Sequence, residues 1–189
     1  MENKKNILNI RIVVLIFIVS TIFVCCQNDI ETVNKIRERN KLPTIRIENF
    51  ETTYSDSGKL KIKMISPELV RYDKSERNYD EYSKGLYVEF YNNFYEVEAT
   101  LRCRYARYLI EKDLWEAKFD VEVNNLSSGE KLNTELLYWD VKKELIYSDK
   151  FVRITRPDEI LFGEGFESDQ DFSKWKILKP TGSINIKDE

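Results

Sequence analysis

The chain has 189 residues, 13% aromatic and 33% charged, which is enough for one globular domain with a sizeable core and too little for two. Its formal charge is −3; removing residues 1 to 26, with Lys4, Lys5, Arg11 and Glu2, leaves 27 basic and 32 acidic side chains, a balance that argues against nucleic acid. No histidine is present, which excludes Ser-His-Asp and Cys-His nucleophile systems and histidine-bearing zinc sites and leaves carboxylate chemistry formally open.

The first segment, 1–26, reads as an export signal or membrane anchor. Lys4, Lys5 and Arg11 form a basic lead, and an apolar run follows from Ile12. Counted to Cys26 that run is 15 residues, short of the roughly 20 that span hydrocarbon, so a cleaved signal is favoured over a spanning helix. Cys25 and Cys26 stand where cleavage would fall, and this resembles the lipobox of bacterial lipoproteins. There the cysteine follows Gly, Ala or Ser, whereas here Val24 precedes Cys25 and Cys25 precedes Cys26. Cys26 follows the smaller residue and is the better lipid acceptor, with Cys25 second. The alternative is an uncleaved anchor whose cysteines merely end the apolar run. Either reading places residues 27 to 189 outside the cytoplasm, tethered to a membrane.

Residues 27–43 form a spacer. Ile30, Val33 and Ile36 lie at helical spacing, and Pro43 stops any helix. A rod holding the domain off the membrane is the simplest role; a partner-binding helix is the other.

From residue 44 to 189 the apolar period becomes two. Ile45 and Ile47 alternate with Arg46 and Glu48, Leu60, Ile62 and Met64 with lysines, and Val88 and Phe90 with Glu89 and Tyr91, as in half-buried strands. Turn chemistry at Asp56-Ser57-Gly58, Asn92-Asn93, Asn124-Asn125 with Ser127-Ser128-Gly129, and Thr181-Gly182-Ser183 separates them, predicting an all-β domain of about ten or more short strands. Cys103, between two arginines, is expected to point inward as a small hydrophobe. Gly163 and Gly165 are expected to allow a sharp bend, with close approach to a partner backbone as the alternative. The aromatics Tyr87, Tyr91, Phe94, Tyr95, Tyr105, Tyr108 and Trp115 are expected mostly to pack in the core, with lining a cargo path or capping the sheet as the alternative.

Two similar strand pairs follow one another between residues 108 and 154. Tyr108–Asp113 leads into Phe119–Val123, and Leu137–Asp140 leads into Phe151–Ile154, roughly 29 positions on. Asp120 and Glu122 alternate with apolar residues, the pattern of a wet strand face rather than a catalytic carboxylate pair. Stacked units of this kind build a long sheet, and in a rolled sheet Val88, Phe90, Val121, Val123, Val152 and Ile154 would form one dry face. An ordinary sandwich core has the same alternation.

The run from Gly129 to Asp140, continuing through Ile146–Ile154 and Gly163–Asp169 to Phe172 and Trp175, resembles the LptC family, the periplasmic component of the lipopolysaccharide export ABC transporter, in its Bacteroidetes-type form. The resemblance covers about Leu42 to Ser183. It implies an open rolled β-jellyroll of the LptC/LptA/OstA-like kind, standing on the periplasmic face of the inner membrane. It further implies a non-enzymatic lipid carrier, with the six dry-face residues as its groove. Such a carrier accepts lipopolysaccharide from the inner-membrane transporter subunits and passes it to a downstream periplasmic jellyroll bridge protein. The first strand, near Ile45–Phe50, and the last, near Ser183–Lys187, are the expected docking edges. An exported β-sandwich lipoprotein with an adhesion or scaffolding role and no lipid cargo is the alternative.

Overall fold

The computed structural model describes residues 42–74, 77–170, 172 and 174–186. The signal or anchor with Cys25 and Cys26, and the spacer up to residue 41, lie outside the described residues. Among those described, no helix is long and apolar enough to cross a membrane.

Eleven strands make one antiparallel sheet: β1 (Ile45–Asp56), β2 (Lys59–Lys74), β3 (Arg77–Tyr82), β4 (Leu86–Tyr91), β5 (Val97–Cys103), β6 (Tyr105–Leu109), β7 (Leu114–Asn125), β8 (Lys131–Asp140), β9 (Leu145–Thr155), β10 (Glu159–Asp169) and β11 (Trp175–Asn185). β3 runs on into β4 through the turn at residues 83–85, and β5 into β6 through Arg104. β2 pairs with both pieces of the first, and β7 with both pieces of the second. The chain is therefore a meander of nine long ribbons, with β1 and β11 at its edges. The repeated unit seen in the sequence is a pair of hairpins. The β6–β7 and β8–β9 connections each contain a 3₁₀ turn, Ile110–Lys112 and Val141–Lys143, ending in a left-handed residue, Asp113 or Glu144.

Most ribbons break near the middle, and the breaks line up. Asn49 (φ 52°) interrupts β1, the Phe119-Asp120 pair (φ 63° and 51°) interrupts β7, and Gly165 (φ 78°) interrupts β10. Register slips by one between Lys118 and Val121, between Thr134 and Tyr138, and between Glu164 and Phe166, as β-bulges require. Buried hydroxyls occupy the backbone groups that the bends free. Ser66 Oγ lies 2.7 Å from the Gly85 carbonyl and 2.9 Å from that of Glu68, Thr134 Oγ1 donates to the Phe151 carbonyl at 2.9 Å, and Ser148 Oγ accepts from Lys150 N at 3.1 Å.

This line of bends divides the sheet into a front layer (β4, β5 and the neighbouring halves of β1, β2 and β7–β11) and a back layer (β3, β6 and the remaining halves). Buried residues from β2 through β10 join in a single core cluster, so the apolar faces of the two layers are turned toward each other. Cys103 is buried in that cluster, and burial pushes its thiol pKa up to about 11 despite hydrogen bonding to the backbone.

Three expectations from the sequence change. Ile45 and Ile47 are 43% and 41% exposed, because β1 is an edge and its first half has little covering it. Phe94 and Tyr95 stand out in the turn between β4 and β5, at 81% and 59% exposure, rather than in the core, and Tyr87 of β4 is exposed as well. Gly165 makes the expected bend, but Gly163 answers to a different constraint. A Cβ on Gly163 would lie 2.3 Å from Ile177 Cγ2 and 2.5 Å from the Lys179 carbonyl oxygen, so here it is the chain's own last strand that approaches closely.

Candidate functional site

Because partners across an antiparallel ladder share a face, register fixes which side chains line the interior. In the front layer one transverse row runs Met64, Val88, Leu101, Val123, Leu132, Ile154, Leu161 across seven ribbons without a polar member. Beside it toward the strand ends lie Ile62, Phe90 and Ala99; on the other side, nearer the bend, lie Val121, Thr134, Val152 and Gly163. All six residues singled out from the sequence thus face the interior, in three adjacent rows. In the back layer one row runs Ile45, Arg71, Asp80, Tyr108, Trp115, Trp139, Ile146, Ser168, Trp175.

Between the layers lies a small, partly open apolar cavity of about 40 Å³. Met64, Val88, Phe90 and Leu101 line it from the front, Trp115, Trp139 and Ile146 from the back, and Phe172 from the β10–β11 connection. Of the six predicted residues, Val88 and Phe90 line the cavity. Val121, Val123, Val152 and Ile154 pack in the core beside it, each at most 3% exposed. The alternation revealed the front wall. Of the back wall, Trp115 was among the aromatics named from the sequence and Trp139 was not singled out, although each tryptophan follows the same period two as its flanking strand.

The carboxylates at and near the cavity are ion-paired. Arg71 donates to both oxygens of buried Asp80, at 2.6 Å each, toward the β1 end of the back row. Glu116, which is among the lining residues, is opposed by burial, yet hydrogen bonds from Lys118 and Arg107 hold its carboxyl below the ordinary carboxylate pKa. Among the described residues, Trp139 Nε1 and Ser168 Oγ are buried without a protein partner, both in the back row.

On the outer face, Glu122 takes hydrogen bonds from Arg102, Asn124 and Asn133. Asp120 pairs with Arg104 at 2.8 Å. These two carboxylates are therefore engaged in holding the outer ladder. No group of three or more His, Cys, Asp or Glu side chains suited to a metal occurs among the described residues.

An apolar cavity faced on one side by an unbroken apolar row is a surface that suits hydrocarbon. No curated protein matches the chain. A profile for lipopolysaccharide assembly, LptC-related, matches residues 12–181, a span that takes in β1 to β10 and the first part of β11. The chain therefore belongs to the LptC family and takes part in lipopolysaccharide transport.

Proposed function

We propose that the groove between the two layers carries the acyl chains of lipopolysaccharide and that the protein works as a carrier without catalysing a reaction. The observation that supports this reading most directly is the row from Met64 to Leu161, an unbroken apolar track perpendicular to the strands. Each CH₂ exposed to water costs about 0.8 kcal/mol, so a lipid with several acyl chains faces a barrier of tens of kcal/mol in the periplasm. A continuous apolar wall removes most of that barrier, and the work of moving the lipid comes from ATP hydrolysis elsewhere.

The same reading places residues 27 to 189 on the periplasmic face of the inner membrane, tethered through residues 1–26, with Cys26 or Cys25 lipidated or the segment kept as an anchor. The tether leads into β1 and the chain ends beyond β11, and both edges carry backbone groups that a partner strand can take up. We assign one edge to the inner-membrane transporter and the other to the downstream jellyroll, so that the apolar track continues from protein to protein.

The test is a photo-crosslinking residue at Leu101, inside the groove, compared with one at Thr100, its neighbour on the outer face. Irradiated cells should yield lipopolysaccharide adducts at Leu101 and none at Thr100. The tight burial of Val121, Val123, Val152 and Ile154 favours the second reading, a filled sandwich serving as a scaffold. Absence of adducts at both positions in folded, membrane-bound protein would establish that reading instead.

A further inference from the structure

One end of the groove is tied across. Glu130 lies in the turn between β7 and β8, and Arg156 and Glu159 lie at the turn between β9 and β10, all on the free margin of the front layer. Trp175 opens β11 in the back layer. Trp175 Nε1 donates to Glu130 Oε2 at 3.1 Å across 45 residues of sequence, and the Arg156 guanidinium sits 5.0 Å from the centre of the indole ring. Phe166 stacks against the same ring, with centroids 6.3 Å apart.

The division of these contacts between the two margins matters. Arg156 donates to Glu130 at 2.8 Å and to Glu159 at 2.9 Å, and all three belong to the front margin. Only the two contacts made by Trp175 bridge the layers. If the layers part, Arg156 keeps both carboxylates and no charge is left unpaired. A purely structural tie gains nothing from that arrangement, whereas a closure that must open repeatedly needs it.

We propose that Glu130, Arg156 and Trp175 form a latch that holds the two margins of the groove together at its β11 end, and that passage of an acyl chain there requires the latch to release. The proposal rests on the carrier reading above. Contacts of this strength shift an open–closed equilibrium by about tenfold when removed.

The experiment places a photo-crosslinking residue at Leu161, the β10 member of the apolar row, in full-length protein in cells. Lipopolysaccharide capture is compared among the parent, Glu130→Gln and Trp175→Phe, with Lys176→Gln as a control on the outer face. Trp175→Phe keeps an apolar ring against Phe166 and loses the N–H donor. Both latch variants should capture lipid about tenfold faster than the parent, and the control should match it. A second readout is the ¹⁵N indole resonance of Trp175 in the purified full-length protein, identified through Trp175→Phe, which should shift when lipopolysaccharide micelles are added. Unchanged capture in both variants, or an unmoved indole resonance while Leu101 still captures lipid, overturns the latch and leaves the carrier reading standing. No capture at Leu101 or Leu161 in any protein overturns both.

Discussion

Arg102 grips both carboxylate oxygens of Glu122, at 3.0 and 3.2 Å, on the outer face directly behind the apolar row. The fork joins β5 to β7 where those strands bend, and Asn124, Asn133 and Lys131 add further contacts to the same carboxylate. The Arg102 hydrogen bonds are the main reason that the Glu122 pKa is drawn down to about 2 from an ordinary 4.5.

A carboxylate with a depressed pKa in the folded state stabilises the fold above its unfolded pKa, and that contribution is lost as pH falls through the folded value. Stability from Glu122 should therefore be complete above about pH 4.5 and decline toward pH 2. Because Arg102 is 65% exposed, solvent screening limits the effect, and Glu122→Gln should cost about 1–2 kcal/mol at pH 7. Urea melts at pH 7 and pH 3 should show the gap between parent and variant narrowing at the lower pH.

Ser66→Ala should destabilise the protein by about 1–3 kcal/mol, because it removes a hydroxyl that donates to the Gly85 carbonyl and accepts from the Glu68 amide at a buried bend. Chemical denaturation of the variant measures this directly. An unchanged midpoint would mean that water replaces the hydroxyl.

Gly163→Ala should cost about 1–3 kcal/mol, since the added methyl meets Ile177 and the Lys179 carbonyl and forces β11 away from β10. Gly182→Ala, in the same strand pair with nothing within 4 Å of its Cβ position, should be close to neutral. Thermal melts of the two variants side by side separate close approach from a general intolerance of side chains there.

Cys103, buried and with a thiol pKa near 11, should resist alkylation at pH 8 in the folded protein and react promptly in urea. Mass spectrometry of a time course with iodoacetamide gives both rates. Fast native labelling of Cys103 would contradict the packing of β5 against β4.

Period-two alternation identified the strands and the inward side of each, as at Met64, Val88, Val123 and Ile154. It says nothing about which strand lies beside which, so the rows that turn scattered apolar residues into a track became visible only through register. Alternation also overstated the burial of Ile45 and Ile47, because it marks a face without saying whether anything covers it. The bends were legible only where glycine marks one, at Gly165. At Phe119 and Asp120 ordinary side chains adopt positive φ, held there by neighbours such as Arg104, whose amide donates to the Phe119 carbonyl at 3.0 Å. Glu130, Arg156 and Trp175 are separated by tens of residues and carry no shared pattern, so their meeting is a property of the folded sheet alone.

The bend itself sets how this molecule can respond to a bulky guest. Each ribbon passes through the bend as continuous backbone, and the hydroxyls of Ser66, Thr134 and Ser148 attend the groups released there; on the carrier reading proposed above, the two layers would hinge apart while every strand keeps its neighbour. Capacity is then a matter of angle rather than of unpairing. A loaded protein and an empty one should differ in the spread of their two margins yet protect the same amides from exchange, much as a book holds more between its covers without losing a page.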